Sequence, residues 1–141
     1  MIDETLKNII EDISKKGDMF FLDPATKKQI DLFEEKNNIV LPKQYKEFLL
    51  ISDGGELFLP AGIQFYGVSH KPIIDVNDMD RPSDKYVVIG ALSNGDPILF
   101  EKDTEEIMIY NHDSGVIEDD ERYEDLYNFL KDLYSILGLE G

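Results

Sequence analysis

The chain has 141 residues, 42% hydrophobic and 11% aromatic; that is enough for one packed core in a single domain over residues 1–141, and too apolar for a wholly disordered chain. Fourteen basic against thirty acidic residues give a net charge of −16, a field that repels nucleic acid and anionic membranes and attracts basic surfaces. There is no cysteine, which excludes disulfides, thiolate metal ligands and a cysteine nucleophile.

The opening stretch MIDETLKNIIEDISKKG sets Ile2, Leu6, Ile9, Ile10 and Ile13 at helical spacing, with Gly17 as the stop. It lacks the basic and apolar regions of a signal peptide, and no window approaches the roughly 20 apolar residues of a membrane span. A cytoplasmic location is expected. The next helix reads from Asp23 as N-cap and Pro24 at the first helical position. Ile30, Phe33 and the Lys27 stem form its inner stripe, and Asn37 and Asn38 end it. A third helix opens at Pro42 and turns Tyr45, Phe48 and Leu49 to one face, which Leu50 and Ile51 widen. Asp53, Gly54 and Gly55 close it, since glycine accepts the left-handed conformation of a helix end.

Beyond Gly55 the period changes to that of strands. ELFLP, GIQFYGV, YVVIGAL, PILFE, EIMIYN and GVIE are rich in β-branched and aromatic residues. SNGD joins YVVIGAL to PILFE as a hairpin, and HDS marks a second turn before GVIE. ERYEDLYNFLKDLYSILG reads as a closing helix with Leu126, Phe129, Leu130, Leu133 and Leu137 inward and Gly138 as its stop. Ser69 to Asp84 is the one long irregular stretch, with a short helix or none. Helices, then neighbouring hairpins, then a helix predict an α+β fold, an antiparallel sheet covered by helices on one side.

LPKQYKEFLLISDGG, with Leu41, Pro42, Tyr45, Phe48, Leu49, Asp53, Gly54 and Gly55 in order, resembles the signature of the SUKH superfamily, whose cell-wall-regulator branch is the Smi/Knr-like family. VVIGALSNGDPILFEKD resembles its later hairpin through Ile89, Gly90, Asn94, Gly95 and Asp96. The resemblance runs over roughly residues 20 to 137. The chain departs from it in having no Trp, and Ser69 to Asp84 does not align. Each matched residue has a structural task, so the motif marks a scaffold and not a chemistry. The resemblance implies a non-catalytic binding protein. Bacterial members commonly look like immunity proteins that neutralise a polymorphic toxin, and fungal relatives act as regulatory hubs. An immunity role is the first expectation, and a regulatory or scaffolding module the alternative.

The residues offer little to a catalytic reading. His70 and His112 lie far apart in sequence. His112, Asp113 and Ser114 are consecutive, which denies them the facing geometry of a triad. A calcium-loop frame started at Asp75 puts Met79, Asp80 and Tyr86 where a ligand, a glycine and a glutamate belong, so it fails. Asp75, Asn77, Asp78 and Asp80 make at most a loose cation site. No phosphate-binding loop and no basic patch with interleaved aromatics is present. Neither metal nor cofactor is expected. Carboxylates do cluster, at Asp75, Asp78 and Asp80 and again at Glu118, Asp119, Asp120 and Glu121, with Glu124 and Asp125 following. Acidic residues at a helix N-terminus stabilise it, and a charge run is usually a solvated face. The excess beyond capping needs predicts a surface for a basic protein partner, with Tyr66, Tyr110 and Tyr123 as exposed aromatic anchors.

Overall fold

A computed structural model describes residues 3–59, 62–69 and 73–137. Helix α1, Glu4–Ser14, starts on Asp3, whose side chain accepts from the Thr5 N–H, and buries Leu6, Ile9 and Ile13. It ends through Lys15 in right-handed conformation. Gly17 lies beyond that cap and is needed for space: a Cβ there would come within 2.6 Å of the Phe58 ring. A short strand β1, Asp18–Phe20, follows; no alternation in the sequence marks it.

Helix α2, Lys27–Asn37, begins later than Asp23 and Pro24 suggest. Its N-cap is Thr26, which forms a capping box with Gln29: two otherwise unpaired N–H groups are satisfied reciprocally, and that outweighs the proline signal. Lys27 is exposed and pairs with Asp31 at 2.8 Å, so its stem is not part of the inner stripe. Asn38 ends the helix in the left-handed conformation, as its sequence position suggests. Helix α3, Lys43–Leu49, buries Tyr45, Phe48 and Leu49. It ends on Leu50 in right-handed conformation, so the glycine pair does not cap it. Gly54 and Gly55, with φ of 95° and 127°, instead launch strand β2, Gly55–Leu59.

Strands β3 (Ile63–Phe65), β4 (Tyr86–Leu92), β5 (Pro97–Glu101), β6 (Ile107–Ile109) and β7 (Arg122–Tyr123) complete a seven-stranded sheet in the order β1 to β7. Every neighbouring pair is antiparallel. Residues 93–96 make the hairpin turn, with Gly95 in left-handed conformation, and Gly90 lies at a register shift in β4. GVIE is not a strand. Val116 makes only an isolated bridge to Asn111, and the partner of β6 is β7, which the sequence places inside a helix. The closing helix correspondingly starts later. Asp119–Glu121 is a turn of 3₁₀ helix, and α4, Leu126–Lys131, is capped by the Asp125 side chain. A short α5, Leu133–Ile136, follows. Gly138 and His70 lie outside the described residues.

Alternation along the strands sorts two apolar faces. Leu57, Ile63, Phe65, Val87, Ile89, Ile98, Phe100, Ile107 and Ile109 join the inner residues of all the helices in the main core. Phe65 sits at its centre, with ring centroids 5.8 Å from Tyr45, 5.2 Å from Phe48 and 6.3 Å from Phe129. Tyr86, Val88, Leu99 and Met108 form a smaller buried cluster, packed by Tyr66, Tyr110 and Ile117. The fold is therefore α+β, a single antiparallel sheet with N- and C-terminal helices.

Candidate functional site

The motif residues converge on the end of β3. Tyr45 is fully buried, and its hydroxyl donates to the Tyr66 and Ile89 carbonyls. Burial, and secondarily the Asp53 carboxylate, raise its pKa well above the ordinary value. Asp53 is also fully buried. Its carboxylate accepts from the Val68 N–H at 2.7 Å, the Ser69 N–H at 2.9 Å and the Ser69 hydroxyl at 2.9 Å. Gly67 must be glycine, because a Cβ would lie 2.3 Å from the Asp53 carbonyl oxygen. Buried Ser52 ties the same knot: it accepts from the Leu22 N–H at 2.9 Å and donates to the Gly54 carbonyl at 2.5 Å. Leu41 and Pro42 are buried at the other end of α3, before its first turn. The signature thus anchors the chain as it leaves β3 toward the acidic segment.

That segment is irregular where it is described. Ile73 bridges back to Gly67. Asp75 accepts from the Asn77 N–H at 2.9 Å and Asp78 from the Asp80 N–H at 2.8 Å, two successive side-chain turns. Arg81 donates to the Tyr86 carbonyl at 2.8 Å and pairs with Asp84 at 3.1 Å. The carboxylates of Asp75 and Asp80 stay exposed, and Asp78 is half-buried.

One carboxylate from each acidic run lies within electrostatic range of the hairpin-turn pair Asp96 and His112. Asp78 and Asp80 both act electrostatically on Tyr66, whose pKa is raised chiefly by burial. Asp80 also acts on His112. The His112 Nδ1 lies 2.5 Å from Asp96 Oδ1, its backbone N–H donates to the same oxygen at 3.2 Å, and its Nε2 is 3.4 Å from Asp113 Oδ1. The Asp96 hydrogen bond is the main cause of its raised pKa. Glu121 is half-buried with one carboxylate oxygen covered and no hydrogen-bond partner. Burial raises its pKa first, and Asp120, Asp96 and Glu118 add to it. Asp80 of the first run thus acts on His112, and Glu121 of the second feels Asp96, the two residues of one hydrogen-bonded pair. Glu118, Asp119 and Asp120 are exposed.

The tyrosines are half-buried where exposed anchors are expected. Tyr66 touches both apolar clusters, and Tyr110 packs on the smaller one. Tyr123 meets Phe129 edge-on at 5.3 Å, and its hydroxyl donates to Asp132 at 3.3 Å. For Tyr66 and Tyr110 the cause is the second apolar cluster, which they cover; Tyr123 is drawn onto the main core instead. Among the described residues no group of three or more His, Cys, Asp or Glu is arranged to hold a metal ion, and no helix is long and apolar enough to cross a membrane. Sequence reading misses the parts of this site that meet only in space: Ser52, Gly67, and Asp96 and His112 as the pair on which one carboxylate of each acidic run acts. The SNGD turn marks Asp96 as a turn residue, but nothing local marks its partner.

A single antiparallel sheet in chain order, helices on one face and a buried Tyr–Asp knot define an α+β scaffold domain with an acidic corner. The model of the SMI1/KNR4 family (SUKH-1) matches residues 24–135, and the chain belongs to that family. An uncharacterised Bacillus subtilis (strain 168) protein, YnaB, is 37% identical over 75 residues, 53% of this chain and 49% of that protein; the alignment spans about half the length of this curated relative. Membership supports a general protein-interaction or immunity-type role. Members of the family are generally non-catalytic.

Proposed function

We propose that the protein is an immunity protein that neutralises a toxin domain by stoichiometric binding, with the acidic corner docking onto a basic surface. The observation that carries this reading is that one carboxylate from each acidic run lies within electrostatic range of one hairpin-turn pair: Asp80 acts on His112, and Glu121 feels Asp96. Like charges gathered this way repel one another and gain nothing from folding together, so a surface of this kind is better explained by a cationic partner than by stability. The net charge of −16 extends the same field over the molecule. A nuclease toxin fits especially well, because its substrate groove must be basic to hold phosphates; carboxylates would then stand in the phosphate positions. The contact surface comprises Asp75, Asp78, Asp80, Glu118, Asp119, Asp120 and Glu121, with the half-exposed faces of Tyr66 and Tyr110 beside them.

Co-expression with a toxin domain encoded beside the gene tests this reading. Growth is expected to be restored, and the two chains to co-purify in equal amounts. Protection without a complex, or a complex that leaves the toxin active, contradicts it.

A further inference from the structure

The His112 corner carries an inference that rests on the acidic-face reading and adds its regulation. We infer that the site formed by Asp96, His112 and Asp113, facing Asp80, binds a proton when the protein is free and releases it when a cationic surface docks. A carboxylate stands beside each nitrogen of the ring, one at hydrogen-bond and one at ion-pair distance. Asp96 Oδ1 is 2.5 Å from Nδ1 and Asp113 Oδ1 is 3.4 Å from Nε2. A neutral imidazole has one N–H, so one ring nitrogen would turn a lone pair toward a carboxylate. The imidazolium donates to Asp96 and holds its charge within ion-pair distance of Asp113.

The surroundings all favour the charged ring. Asp96 comes from the turn between β4 and β5, Asp113 from the ring's own turn and Asp80 from the irregular segment. Glu121 approaches Asp96 from the 3₁₀ turn before β7. Among the described residues no Lys or Arg acts on the ring, and Arg81 is occupied by Asp84 and the Tyr86 carbonyl. A cationic partner would reverse this field. It would compete for the same carboxylates and disfavour the imidazolium, so docking and proton release are linked reciprocally. Binding then weakens as pH falls through the His112 midpoint, because the partner must displace a proton.

Two measurements on the whole chain test this. The first is an NMR titration of the imidazole nitrogens in wild type, Asp96→Asn and Asp113→Asn. The expected wild-type midpoint lies above the ordinary histidine value of about 6.5, and it falls in Asp96→Asn. A wild-type midpoint at or below the ordinary value overturns the proposal, as does one that Asp96→Asn leaves unchanged. The second is calorimetry with an oligolysine peptide near that midpoint, in two buffers of different ionisation heat. Wild type is expected to release protons on binding, and His112→Gln to bind with that release lost. Peptide binding with equal release in His112→Gln overturns the assignment to this ring, and binding with no release at all overturns the linkage. A raised midpoint with no peptide binding at low salt overturns the docking half by a different route, through failure of the acidic-face reading itself.

Discussion

At the scale of single residues, the buried Tyr45, Asp53 and Phe48 matter most. Phe48 is fully buried between Tyr45 and Phe65. Phe48→Ala should cost about 3–5 kcal/mol through the cavity it leaves, read as a lower urea midpoint; an unchanged midpoint would contradict the packing described. Asp53→Ala strands the Val68 and Ser69 N–H groups and should cost on the order of 3 kcal/mol. Its effect should also spread: amide exchange ought to quicken in residues 73–84, the acidic segment that this carboxylate anchors. Loss of stability without faster exchange there would reduce Asp53 to an ordinary core group. The tyrosines make a pH prediction. Burial, then Asp132, pushes Tyr123 up to about 12; burial and the Asp3 hydrogen bond raise Tyr127 further, and Tyr45 is raised as well. A raised folded pKa means that the folded state holds the proton more tightly. The stability is therefore complete below the unfolded value of about 10, and is lost as pH rises through about 12 for Tyr123. Phenolate absorbance from these three should appear only well above pH 10. Ionisation of all seven near pH 10 would refute the burial assignments.

At the scale of elements, helix ends separate what the sequence can disclose from what it cannot. The capping box of α2 lies within four residues, Thr26 to Gln29, and Thr26→Ala should cost about 1 kcal/mol. The first turn of α3 has no cap of its own, since Pro42 offers no side-chain acceptor. Glu105, from the turn between β5 and β6, accepts from the Lys43 N–H at 2.8 Å and the Gln44 N–H at 3.2 Å. Gln44 in turn accepts from the Tyr127 N–H at 2.9 Å at the start of α4. Glu105→Ala should therefore act like a lost N-cap, also about 1 kcal/mol, although it lies in a loop; chemical denaturation would show no change if that contact were idle. The inner faces of α1 and α3, and Ile30 and Phe33 of α2, were legible because apolar spacing along a helix is local, and the SNGD hairpin was legible for the same reason. Strands β1 and β7 were not, because strands of three and two residues exist only through their neighbours β2 and β6. The 3₁₀ turn and β7 together moved the start of the last helix from Glu121 to Leu126. The acidic runs could be read from the sequence, but the pairing of Asp96 with His112, on which one carboxylate of each run acts, could not, since it depends on the register of β4, β5 and β6.

At the scale of the whole molecule, one sheet separates two apolar clusters. The helix-covered face holds the main core, and the other carries the smaller cluster packed by Tyr66, Tyr110 and Ile117. An acidic field speeds encounter with a basic surface more than it slows release, and salt screens it. The most direct measurement is the association rate with the purified toxin domain, at low and high salt, for wild type and for the combined Asp78→Lys, Asp119→Lys and Asp120→Lys variant. The three positions are half-buried or exposed, so the variant should fold, which circular dichroism can verify. The account predicts that charge reversal slows association on the order of tenfold or more at low salt and that the difference largely disappears at high salt. A folded variant that associates as fast as wild type at low salt would contradict it.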